Sequence, residues 1–142
     1  MGGKPIFVLL VTIILLTVTA FDGGHVLAQS QYETAMKINK DLAKADGEMT
    51  KIYSQIMKEY AHDKEFIEKM KTAQRAWIRF RDAHLEALYP AKDKQSEYGS
   101  SYPSCYAMGI LQLTRERIDH LMLWKEGVDE GNVCAGSVKF KQ

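Results

Sequence analysis

Few residues in this 142-residue sequence are of a type and spacing that do chemistry. His62, His84 and His120 stand on separate segments, without the paired-His spacing around a Glu that a helical zinc site needs. No Ser lies in a nucleophile elbow and no Gly-rich loop follows a strand, so acyl transfer and phosphate binding have no recognisable machinery. The carboxylates are numerous, but spacing alone picks out no glycosidase-like pair. The sequence therefore assigns no catalytic residue, no metal and no cofactor, and the expectation is a protein that is not an enzyme. Two cysteines remain, Cys105 and Cys134. In an oxidising compartment an even count favours one disulfide, which would close a C-terminal loop at a gain of about 3–4 kcal/mol. A metal site and a reactive thiol are the competing readings.

Charged residues on apolar faces are the other feature. Apolar positions recur at threes and fours from Tyr32 to Tyr60, from Asp63 to Leu88 and from Pro103 to Lys125, which is the period of amphipathic helices. At about 100° per residue, Arg81 falls roughly 40° from Trp77, and Arg117 lies between Leu113, Leu121 and Trp124. Asp46 and Tyr53 fall about 60° and 40° from Met49. A charge on such a face is costly unless paired. Asp46 is thus expected to join Arg81 or Arg117 across the helices, unless the long arginine stems carry their charges out to solvent. Arg75, Arg79, Asp82 and Glu86 point the other way and alternate in sign, as on a solvated face.

These residues need a scaffold of three long helices, and the rest of the chain supplies the breaks. Asp63 is placed to cap the second helix and Pro90 to end it, and the polar stretch Pro90–Ser104 reads as a loop. His84 belongs to an apolar stripe and reads as a core histidine, with Trp77 and Phe80 also facing inward. The expected fold is all-α, a small antiparallel bundle of about three main helices, with an irregular tail from Gly127 onward. The composition, 46% hydrophobic and 26% charged, excludes a disordered or low-complexity chain. With 19 basic and 18 acidic residues there is no bulk charge to draw nucleic acid, and the interleaved QRAWIRFR run has its aromatics turned inward.

The apolar run Ile6–Leu16, followed by small residues before Gln29 and also before Phe21, reads as a secretory signal peptide, taken here as residues 1–28. An uncleaved N-terminal anchor is the alternative. Cleavage after Ala28 leaves one domain, residues 29–142, in the periplasm or outside the cell, touching the membrane only during export.

The run Ala73–Ala83, AQRAWIRFRDA, resembles the signature of the LprI-type lysozyme-inhibitor family, a group of small exported bacterial helical proteins. Ala45-Asp46 with Tyr53, the Gly99-Ser100 loop before Cys105, and Leu113–Arg117 with Leu121 support the likeness, which spans roughly Tyr32 to Trp124. The resemblance implies a structural network of Asp46, Tyr53, Gln74, Trp77, Arg81, Asp82 and Arg117. It also implies lysozyme as a partner. Relatives often carry a Cys directly after the RDA triplet, where this chain has His84-Leu85, which leaves Cys134 as the mate of Cys105. Lysozymes are basic enzymes that work through two carboxylates in a sugar-binding cleft. A loop on a rigid scaffold suits such a cleft. Lys94, Tyr98 and Tyr102 are the candidates, offering a cation and aromatic contact. The other function class is an envelope adaptor or structural module that binds a different protein and leaves lysozyme untouched.

Overall fold

The structure is a computed structural model that describes residues 22–141. Among these are four α-helices and no strand: α1 (Asp22–Glu59), α2 (Lys64–Leu88), α3 (Lys94–Tyr98) and α4 (Tyr102–Glu126). The chain divides into two compact units, residues 1–37 and 38–142, and the second carries the core and every candidate residue. Residues 1–21 of the expected signal peptide lie outside the described residues. α1 is longer than the apolar period indicated, starting at Asp22 instead of Tyr32, so the expected cleavage point after Ala28 falls inside it. No helix among the described residues is long and apolar enough to cross a membrane.

The expected stripes build the core. Ala45, Met49, Ile52 and Ile56 of α1 pack with Phe66 and Met70 of α2 and with Leu111, Ile118 and Leu121 of α4. Ile56 and Leu121 are wholly buried, each contributing about 2–3 kcal/mol through the apolar area withdrawn from water. Asp63 caps α2 as expected, its Oδ1 accepting the Phe66 N–H at 2.9 Å. Phe66 stacks on Tyr60 at 4.4 Å between centroids and meets Trp124 at 6.4 Å. Gln74 reaches Arg117 and Leu85 reaches Gly109. These α2–α4 pairs run in opposite sequence order, which makes the two helices antiparallel.

Leu85 sets the spacing at the far end. It is almost fully buried, and a Cβ on Gly109 would lie 2.7 Å from its Cδ2, inside van der Waals contact. Beyond it the stripe opens to solvent. Phe80 and Leu88 are 56% and 55% exposed, and His84 is exposed and packs on Phe80 at 5.5 Å. The expectation that Phe80 and His84 face the core therefore fails: the amphipathic period continues through residues where helix neighbours no longer cover it.

The connection between α2 and α4 is not a plain loop, because Asp93 caps the short helix α3 inside it. α4 starts at Tyr102, one residue before the expected Pro103. That proline occupies the first turn, where its missing N–H is harmless. The tail is tied without a disulfide. Cys105 is a half-buried thiol and Cys134 an exposed one, and they are not joined. The backbones of Val128 and Lys139 pair instead, through Val128 N–H to Lys139 O and Lys141 N–H to Val128 O, both 2.9 Å. Lys139 donates its N–H to the Tyr60 hydroxyl and its ammonium to Glu59, and Trp124 Nε1–H donates to Ser137. Secondary contacts thus do the work the sequence assigned to a covalent link.

Two glycines test this packing. Gly109→Val must displace Leu85 and should cost about 1–3 kcal/mol. Gly47 lies in α1 with open space where a Cβ would go, so Gly47→Ala should gain about 0.5–1 kcal/mol of helix stability. Thermal denaturation followed by circular dichroism should show the first midpoint falling and the second rising.

Candidate functional site

The end of α2 and the start of α4 bring the loop candidates together. Lys94 donates to the Glu86 carboxylate at 2.9 Å and to the Tyr89 carbonyl at 2.6 Å. That carbonyl lies just beyond the last turn of α2, where backbone acceptors lack helical partners, so the ammonium acts as a C-terminal cap. The hydrogen bond to Glu86 holds Lys94 above the ordinary lysine range. Tyr98 accepts the Ala91 N–H at 3.1 Å. The Tyr89 ring meets Tyr98 and Tyr102 edge-on at 5.3 and 5.2 Å, and Tyr106 adds contacts to Tyr102 at 5.7 Å and Tyr89 at 6.2 Å. Burial raises the Tyr106 phenol. Edge-to-face aromatic pairs of this kind add about 0.5–1.5 kcal/mol each.

Lys94, Tyr98 and Tyr102 are therefore half-buried parts of a clasp, engaged with one another and with the end of α2. Tyr89, Tyr106 and Glu86 complete the clasp and were not singled out from the sequence, although the spacing of Tyr98, Tyr102 and Tyr106 by fours carries the signal. What projects to solvent is the tip: Lys92, Asp93, Gln95, Ser96, Glu97 and Gly99–Ser101. Gly99, at φ 71°, ends α3 in the left-handed region that favours glycine. Beside the clasp runs an open groove of about 640 Å³ between Leu88–Tyr89 and α4, with Cys105, Met108 and Gly109 along it and Gln112, Arg115, Glu116 and Asp119 at its edge.

The motif residues form a different arrangement from the expected one. Arg117 is 9% exposed, its Nε–H donates to Gln74 Oε1 at 3.0 Å, and Gln74 Nε2–H donates to the Met49 sulfur at 3.7 Å. Burial lowers the Arg117 guanidinium below its usual range, with Tyr53 opposing the shift. Asp46 makes no ion pair with Arg81 or Arg117; its Oδ1 is buried without a hydrogen bond, as are Arg117 Nη2 and Thr114 Oγ1. Arg81 lies over the half-buried Trp77 ring at 5.4 Å and pairs with its neighbour Asp82, Nη2 to Oδ1 2.8 Å. An adjacent carboxylate needs no cross-helix reach, so Asp82, read as a solvated charge, takes the arginine that Asp46 was expected to hold. No group of His, Cys, Asp and Glu among the described residues is arranged to hold a metal ion.

The helical scaffold and the residues it gathers have a counterpart among known families. The family model of lysozyme inhibitor LprI matches residues 26–121, and the chain belongs to that family. The match covers most of α1, all of α2 and α3, and most of α4. No curated protein and no solved structure matches the chain.

The charge in the core separates two kinds of substitution. Arg117→Ala removes volume and leaves Gln74 without its donor, and should cost about 2–4 kcal/mol. Arg117→Met keeps the volume and removes a buried cation that lacks a counter-charge, so it should stay within about 1 kcal/mol of the parent. Arg81→Ala, losing one exposed pair and one ring contact, should cost about 1 kcal/mol or less. Urea unfolding of the three variants measures the order; equal losses for Arg117→Ala and Arg117→Met would show that the guanidinium and its hydrogen bond to Gln74, and not volume, matter there.

Proposed function

We infer that this protein is an exported envelope protein that binds lysozyme and blocks it through the connection between α2 and α4. The observation that carries this is membership of the lysozyme inhibitor LprI family across residues 26–121, which includes the whole of that connection. The local geometry supports it. Lys94, Asp93 and the tyrosine clasp fix the connection on the ends of two long helices, so the tip at Gln95–Glu97 is presented on a rigid base, and little ordering entropy is lost on docking. Export to the periplasm or beyond, after removal of an N-terminal signal, is part of the same reading, as is the absence of any role for a cofactor or nucleic acid.

The direct test is a lysozyme activity assay with the purified protein lacking residues 1–28. Inhibition at stoichiometric excess is expected; unchanged activity would leave the envelope-adaptor function in its place. Replacing Gln95, Ser96 and Glu97 together by Ala should weaken inhibition about tenfold, equivalent to about 1.4 kcal/mol, with the melting midpoint nearly unchanged. Tyr98→Ala should lower both, because its hydroxyl and ring hold the clasp together.

A further inference from the structure

We propose that the groove beside the clasp is a second part of the lysozyme-binding surface, seating an apolar side chain of the enzyme with a lysine or arginine next to it. This rests on the lysozyme reading above and adds where, and by what chemistry, the enzyme is gripped. Two large apolar side chains flank the groove in solvent, Leu88 at 55% and Met108 at 52% exposure. Leu111 is buried beneath them, and Gly109 adds no side chain to the floor. An apolar floor between exposed aliphatic walls has no partner within the described residues, and covering it withdraws that area from water.

The rim fixes the kind of partner. Glu116 and Asp119 lie one turn apart on α4 and neither is ion-paired among the described residues; Glu116 accepts from Gln112 at 3.1 Å. Arg115 is the cation of the groove, and it also borders a second pocket lined by Asp41, Lys44 and Glu48 of α1. On the neighbouring connection Asp93 and Glu97 are exposed beside the exposed Lys92, whereas the Lys94 ammonium is held by Glu86. The carboxylates at this end thus outnumber the free cations, although the whole chain carries a formal charge of +1. A basic enzyme is attracted to this end in spite of the near-neutral total. An apolar seat with an acidic rim also follows the anatomy of protein interfaces, in which anchors sit centrally and charges lie at the edge.

The experiment measures association of the protein lacking residues 1–28 with c-type lysozyme, for the parent, Met108→Lys, the double charge reversal Glu116→Lys with Asp119→Lys, and Leu123→Lys as a control exposed elsewhere on α4. Circular dichroism and melting establish that each variant is folded. The expected result is about tenfold weaker binding for Met108→Lys, and for the double reversal an association rate about tenfold slower with little remaining salt dependence. Leu123→Lys should bind like the parent. Parent-like binding by both folded groove variants would overturn the groove while leaving the inhibitor function standing. Failure of the parent to bind lysozyme at all would overturn both.

Discussion

The close approach of Leu85 to Gly109 governs the functional end of this molecule. Without a side chain at Gly109, α4 can lie against Leu85 and bury it almost completely. That contact brings the end of α2 and the start of α4 near enough for a short connection to span them. It also leaves Leu88 and Met108 as the walls of a groove instead of as core. A methyl group at this position would force either the leucine or the helix to move, and the clasp of Tyr89, Tyr98, Tyr102 and Tyr106 would have to accommodate the shift.

The helices were legible because their apolar residues repeat over many turns. Ala45, Met49, Ile52 and Ile56, or Phe66 and Met70, state both the period and the buried face, and Asp63 marks its helix start without tertiary help. Arg117 was likewise recognisable as a buried charge, since it is surrounded by apolar positions on its own helix. Which partner a charge takes was not legible. Asp46, Gln74 and Asp82 are all within the reach of a long arginine on some helix geometry, and only the packing decides that Arg117 meets Gln74 while Arg81 turns to its neighbour. The exposure of Phe80 and His84 was hidden for a related reason. A helix periodic along its whole length gives no sign of where its neighbours stop covering it.

The candidate site was legible by location and misread in its parts. A Pro, Gly and Ser-rich stretch between two helices announces a loop, but Asp93 and Gly99 fold its middle into a helical turn, and Lys94 spends its charge on Glu86 and the Tyr89 carbonyl. Net charge misleads in a similar way. A total of +1 looks neutral toward a basic partner, yet Lys40, Lys51 and Lys58 lie on the solvent side of α1 and carboxylates gather beside the groove. Recognition depends on where charges stand, and the sum conceals it.

The C-terminal strap has a kinetic meaning of its own. It joins Lys139, which lies beyond the stretch shared with the family, to Tyr60 and Glu59 inside that stretch, some eighty positions earlier in the chain. A contact between such distant positions pays its loop-closure entropy only once the intervening helices are in place, so it belongs to the last steps of folding. Interactions made after the transition state hardly hasten folding, but they must be broken before the native state can open. The strap therefore acts as a latch on unfolding: what it adds to stability slows the opening of the folded chain and hardly speeds its formation. The lifetime of the folded chain governs resistance to proteolysis whenever cleavage outpaces reclosing.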